Sequence, residues 1–105
     1  MAWSFLSGAD PEVSVVMPCL NEEATVGACV RQALAAMARS GLSGEVVVAD
    51  NGSTDASAEF AAAAGARVVA APVRGYGAAY SAGLAAARGR YLVLGDADGT
   101  CDFDR

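Results

Sequence analysis

Histidine is absent from the 105 residues. Its absence removes Ser-His-Asp and Cys-His nucleophilic catalysis, and H-E-x-x-H metal sites, from within the chain. Cysteine is scarce: Cys19, Cys29 and Cys101 make an odd count with no C-x-x-C spacing, which indicates neither a disulfide framework nor a zinc knuckle. Three reduced thiols in a cytoplasmic protein is the reading they support. Basic residues are also few, 7 Lys and Arg against 12 Asp and Glu, for a net charge of -5. Without a basic face to neutralise phosphates, nucleic acid is not an expected partner. The same acidity repels any phosphate ligand unless a cation mediates. Long apolar runs are missing too. The longest uncharged stretch, 75–87, is too short to span a bilayer, and residues 1–10 lack the basic and apolar regions of a signal peptide.

What is present is apolar and regularly patterned. Hydrophobic residues make up 54% and charged residues 18%, enough for the packed core of one small domain. Residues 13–17 form a β-rich run ending at Pro18. Asn21 reads as a helix N-cap, with Glu22 and Glu23 in the first turn, where the helix dipole favours acids. Positions 26, 29, 30, 34 and 37 are apolar at helical spacing, so a helix is expected over 24–40, stopped by Gly41 and Gly44. Residues 45–50 are an apolar strand of the kind buried on both faces of a parallel sheet. A turn over 51–54 follows, with Ser53 or Thr54 capping a helix to about 64 and Gly65 as its C′ residue. Strands over 67–71 and 91–95 flank a loop over 72–77 and a helix over 78–88 closed by Gly89.

The order β-α-β-α-β-α-β predicts an α/β, Rossmann-like fold: a parallel sheet with helices on both faces. Right-handed crossovers gather the segments after each strand, 18–22, 50–55, 74–77 and 96–98, along one edge of the sheet. Ligands of open α/β sheets bind at that carboxyl edge. The domain is read as 13–105, preceded by an N-terminal extension over 1–12.

Five residues on that edge carry candidate chemistry. Asp96 and Asp98 are separated by one residue, so in an extended segment both carboxylates face one spot. Paired carboxylates repel unless a cation lies between them, and hard oxygen ligands suit Mg2+ or Mn2+. Such an ion would bridge to a diphosphate and neutralise its developing charge. Asp50 ends the second strand, where its carboxylate either accepts from a base or ribose or stabilises an Asx-turn at Asn51-Gly52. Glu22 either reaches the same ligand or is an ordinary first-turn acid. Arg74, in the loop Arg74-Gly75-Tyr76-Gly77, either grips a phosphate or belongs to a flexible surface loop. Tyr76 and Tyr80 read as packing residues rather than stacking platforms. The loop lacks the third glycine of G-x-G-x-x-G and follows the third strand, which excludes a dinucleotide fingerprint, and no P-loop is present.

Four segments in order, V-S-V-V-M-P-C-L-N-E-E at 13–23, V-V-V-A-D-N-G-S-T-D at 46–55, R-G-Y-G-A-A-Y-S-A-G at 74–83 and G-D-A-D-G-T at 95–100, resemble glycosyltransferase family 2. The fold implied is GT-A, and the likeness is strongest to the dolichyl- or polyprenyl-phosphate mannosyltransferase branch. The resemblance implies that Pro18, Leu20, Asn21 and Glu22 line the nucleotide base and that Val48 and Asp50 contact base and ribose. It implies that Arg74 assists at the phosphates, and that Asp96, Ala97 and Asp98 form the metal and diphosphate motif. The donor would be a UDP- or GDP-sugar, and the acceptor a lipid phosphate at the inner face of a membrane. Thr100 stands where that branch has a Gln. An acceptor-binding half with the general base is expected beyond Arg105, so sugar transfer is not expected of these residues alone. The free edge of the last apolar strand is expected to favour aggregation. A non-catalytic nucleotide-sugar-binding module is the alternative. A nucleotidyltransferase ranks below both, because its Gly-rich basic signature would occupy 18–22, and a dehydrogenase ranks lower still.

Overall fold

The two apolar runs become the centre of a sheet. In the computed structural model of the protein, which describes residues 11–97, β1 (Val13–Cys19) pairs in parallel with β2 (Gly44–Asp50), Val13 opposite Gly44 and Cys19 opposite Asp50. β3 (Arg67–Ala70) continues the sheet beyond β2, and β4 (Tyr91–Leu94) lies on the free side of β1, both again parallel. The order is β3-β2-β1-β4. The connections are α1 (Val26–Arg39), α2 (Ser57–Ala63) and α3 (Tyr76–Ala86), so the expected strand and helix alternation is the one found.

Strand alternation sorts the helices onto two faces. Val15, Met17 and Cys19 of β1 and Val46 and Val48 of β2 pack against Val26, Cys29, Val30 and Met37 of α1 and Ala61 of α2. On the other face Ala49 packs with Ala71 and with Ala79 of α3. Helix α3 approaches closely because Gly83 has no side chain: a Cβ there would lie 2.4 Å from Val16 Cγ1.

All three helices depart from their expected bounds, the first two because side chains at their starts are engaged across the fold. Helix α1 begins at Val26 behind Thr25 with no acid in its first turn, so Asn21, Glu22 and Glu23 precede it. Asn21 has a left-handed φ of 54°, and its Oδ1 accepts from the Thr54 amide at 2.8 Å instead of capping α1. Helix α2 begins at Ser57 rather than behind Ser53 or Thr54. Ser53 Oγ accepts from the Asn21 amide, while Asp55 Oδ1 accepts from the Ser57 amide. Those bonds hold Asp55 below the ordinary carboxylate range, the Ser57 hydroxyl contributing most. Helix α3 starts at Tyr76 and ends at Ala86, two residues ahead of expectation at each end. Its start follows Gly75, whose φ of 115° and ψ of 155° break the chain there. Only glycine adopts that conformation freely.

Strand β4 was expected to be apolar and is, but its residues are 41–64% exposed. It is the sheet's edge. No helix among the described residues is long and apolar enough to cross a membrane.

A polar cluster ties the opposite, amino end of the sheet together. Ser14, fully buried, donates from Oγ to Glu45 Oε2 at 2.6 Å and accepts from the Gly89 amide at 2.7 Å. Glu45 Oε1 pairs with Arg67 Nη2 at 2.9 Å, and Oε2 accepts from the Arg88 amide at 2.8 Å. Burial alone would raise the Glu45 carboxyl; the bonds from Ser14, the Arg88 amide and Arg67 outweigh it and hold the group below its ordinary range. A carboxyl depressed in the folded state adds stability above its unfolded pKa, and that stability disappears as pH falls through the folded value. The window therefore opens near the unfolded value of about 4.3 and extends below it. Acid unfolding should be shallower in Glu45→Gln than in the parent chain over that window, read by thermal melts from pH 7 to 3. Parallel curves would show that Glu45 is not an acid-sensitive tie.

Candidate nucleotide site

The carboxyl ends of the strands open onto a cavity of about 450 Å³, within the size range of small-molecule sites. Its wall comprises Pro18, Cys19, Leu20 and Glu22 after β1, Asn51 after β2, Arg74, Gly75, Tyr76 and Ala79 at the start of α3, and Ala97 after β4. Every segment expected to converge at this edge contributes.

The walls are fastened to one another by hydrogen bonds between loops. Besides the Asn21 bonds to Ser53 and Thr54, the Glu22 amide donates to Ser57 Oγ at 2.8 Å and the Glu23 amide to Asp55 Oδ2 at 3.2 Å. Thr25 Oγ1 donates to the Ala97 carbonyl at 2.5 Å. The Tyr80 hydroxyl donates to the Gly95 carbonyl at 3.1 Å. The segment entering the D-x-D motif is therefore held from α1 on one side and α3 on the other.

Of the residues singled out in the sequence, Pro18, Leu20, Glu22, Arg74 and Ala97 line the cavity. Asn21 is exposed beside it and joins the two loops. Val48 is fully buried against α1 in the core. Its place is dictated by strand alternation, which turns it to the face away from α3, and it does not line the cavity. Asp50 divides its two oxygens. Oδ2 accepts from the Ser53 amide at 3.4 Å, in keeping with the turn, whereas Oδ1 is buried with no hydrogen-bond partner among the described residues. A buried carboxylate oxygen left in that state is costly in a native fold. Asp98 lies outside the described residues, as do Thr100 and Cys101. Asp96 is partly buried and adjoins Ala97 in the chain, but it is not itself part of the cavity wall.

Tyr76 corrects an expectation: it is 67% exposed and lines the cavity, with its ring stacked on that of Tyr80 at 6.2 Å between centroids. Tyr80 is the packing residue of the two. Burial, then the neighbouring Asp96 carboxylate, raises its hydroxyl above the usual tyrosine range. Cys19 is buried at the cavity floor. Burial first, and the Asp50 charge, push its thiol upward against a hydrogen bond from Ser57. Asn51, read from the sequence only as a turn residue, is 6% exposed and part of the wall.

Among the described residues no group of three or more His, Cys, Asp or Glu could hold a metal ion. That sparse donor set fits Mg2+ or Mn2+ bound in the usual way for phosphate chemistry, through one or two carboxylates, water and the phosphates themselves.

The glycosyl transferase family 2 model matches residues 14–105. The chain belongs to that family. It is 47% identical over 94 residues to the low-salt glycan biosynthesis hexosyltransferase Agl6 of Haloferax volcanii, covering 90% of this chain and 22% of that protein. It is 43% identical over 93 residues to an undecaprenyl-phosphate 4-deoxy-4-formamido-L-arabinose transferase of Pseudomonas aeruginosa, covering 82% and 27%. A crystal structure of glucosyl-3-phosphoglycerate synthase from Mycobacterium tuberculosis, in complex with Mn2+, UDP and glucosyl-3-phosphoglycerate, matches with a TM-score of 0.72 at 40% identity. That match covers 83% of this chain and 33% of that one. The fold is thus the Rossmann-like GT-A part of the family, and the chain spans 22–33% of the length of these relatives.

Proposed function

We propose that the chain is the donor-binding part of a glycosyltransferase that moves a sugar from a nucleoside-diphosphate sugar to an acceptor. The observation that carries this reading is the cavity at the carboxyl edge of the sheet, lined from all four family segments. Pro18, Leu20 and Tyr76 offer apolar surface to a base. Asp50 Oδ1 offers an acceptor, without a partner among the described residues, to a base N–H or a ribose hydroxyl. Arg74 and the amide end of α3 offer positive charge to the phosphates. Asp96, with Asp98 beyond it in the sequence, would hold Mg2+ or Mn2+, which neutralises the nucleoside diphosphate as it leaves the anomeric carbon. In an acidic chain that cation also removes the repulsion between site and ligand.

The relative crystallised with UDP favours a uridine nucleotide over guanosine. For the acceptor, the undecaprenyl-phosphate transferase supports a polyprenyl phosphate, and the phosphoglycerate synthase supports a small phosphorylated acid. A phosphorylated acceptor is common to both.

Titration of the chain calorimetrically with UDP and with GDP, each with and without Mn2+, tests the reading. Saturable binding of one nucleotide, strengthened by Mn2+, is the expected result. Heats no larger than dilution for both nucleotides, in a chain shown to be folded, would overturn it.

A further inference from the structure

We propose that Asn51 is a positioning residue that holds Arg74 and the first turn of α3 in place at the cavity. Its backbone amide donates to the Cys19 carbonyl at 2.8 Å, anchoring it between the ends of β1 and β2. Its side chain points the other way, into the loop between β3 and α3. Nδ2 donates to the carbonyls of Ala71 at 2.7 Å and Val73 at 2.8 Å, and Oδ1 accepts from the Gly75 amide at 3.0 Å. Both neighbours of Arg74 in the chain are thus fixed by one amide group. Two donors and an acceptor in that compact arrangement are what an asparagine side chain supplies; aspartate has no donor and serine only one.

The loop needs such a tie. Residues 72–75 are exposed, and Gly75 holds a backbone conformation that only glycine adopts freely. An exposed loop with an arginine at its tip would otherwise sample many directions and lose entropy on meeting a ligand. With both flanks fixed, the Arg74 side chain lies over the β2–α2 turn, its Nε 3.8 Å from where a Cβ on Gly52 would stand. The guanidinium therefore approaches the cavity from a set direction. This inference rests on the donor-binding reading above and adds that the diphosphate, rather than the base, is what Asn51 serves.

The test compares affinities of UDP and uridine in the presence of Mn2+ for the 105-residue chain and its Asn51→Ser, Arg74→Ala and doubly substituted forms. GDP and guanosine replace them if the titration above selects guanine. Asn51→Ser introduces no charge and leaves room for water at the freed carbonyls. It should weaken UDP roughly tenfold, the scale of losing an outer-shell support, and leave uridine unchanged. Arg74→Ala should do the same, and the double form should lose no more than either alone, because the two act as one unit. If Asn51→Ser does not fold, Asn51→Asp, equal in size and able to keep the Gly75 bond, takes its place. Its added charge would weaken UDP even without Arg74, so the inference is supported by a loss that is larger with Arg74 present than in the Arg74→Ala background, and overturned by equal losses in the two. Equal losses for UDP and uridine, or additive losses in the double form, overturn it while leaving the donor site standing. If the unsubstituted chain binds neither ligand, the donor reading falls and this inference falls with it.

Discussion

Asp96→Ala is expected to leave UDP binding in Mn2+ no tighter than binding without it. The chain carries a net charge of -5, and Asp96 is partly buried, next in the chain to Ala97 of the cavity wall and close enough to Tyr80 for its charge to help raise that hydroxyl. Without metal, that carboxylate opposes a diphosphate, so removing it should leave metal-free affinity unchanged or slightly improved. With metal, the same carboxylate supplies the charge that makes a cation bind, and removing it should abolish the gain. The loss should reach or exceed about a hundredfold, since removing even an outer-shell support of a metal ligand costs roughly 10–100-fold. Asp98→Ala should behave alike on the sequence argument that i and i+2 face one spot. Calorimetric titration of each variant with and without Mn2+ reads both halves. A variant that weakens UDP equally in both conditions would mean that Asp96 contacts the nucleotide or supports the fold and holds no metal.

The sheet and its binding edge were legible in the sequence because both follow from local pattern. Apolar runs of strand length at 13–17 and 45–50, separated by a helical period, leave little freedom in topology, and right-handed crossovers decide which edge gathers the loops. Pro18, Leu20, Glu22, Arg74 and Ala97 reach the cavity for that reason. What escaped was decided by bonds across the fold. Asn21 carries the composition of a helix cap, but its carboxamide is taken by Thr54, 33 residues away. Asn51 has the composition of a turn, but its carboxamide is taken by a loop 20–24 residues away. Nothing in the local sequence distinguishes an asparagine that bonds its own backbone from one that bonds a distant segment. Val48 illustrates a different limit. A motif match selects a position in a strand, whereas alternation selects the face, and the face puts Val48 in the core. Strand β4 shows the third: an apolar run reports what a strand can bury, and at the edge of these residues it remains exposed.

Gly89→Ala should be the most damaging of the glycine substitutions. A Cβ at Gly89 would stand 2.5 Å from the Ser14 amide nitrogen, 2.7 Å from Ser14 Oγ and 2.7 Å from the Val13 carbonyl carbon. Two of those three atoms are backbone of β1, which is paired on both sides, to β2 and to β4. The obstacle cannot turn away as a side chain could, so the α3–β4 connection must move instead. Moving it breaks the Gly89 amide bond to Ser14 Oγ and strains the Arg88 amide bond to Glu45, both at the buried polar cluster. Overpacking costs about 1–3 kcal/mol and each lost hydrogen bond about 1 kcal/mol. A loss of roughly 3 kcal/mol or more is therefore expected, which for a domain of this size lowers Tm by about 12 °C or more. Two companions set the scale. Gly83→Ala meets a valine methyl, Val16 Cγ1, at 2.4 Å and should cost less, because a side chain can shift. Gly77→Ala, inside α3 with nothing within 4 Å, should gain about 0.5–1 kcal/mol from helix propensity. Thermal melts of the three variants test the ranking. If Gly89→Ala melts with the parent chain, α3 and β4 are not joined by this close passage over β1.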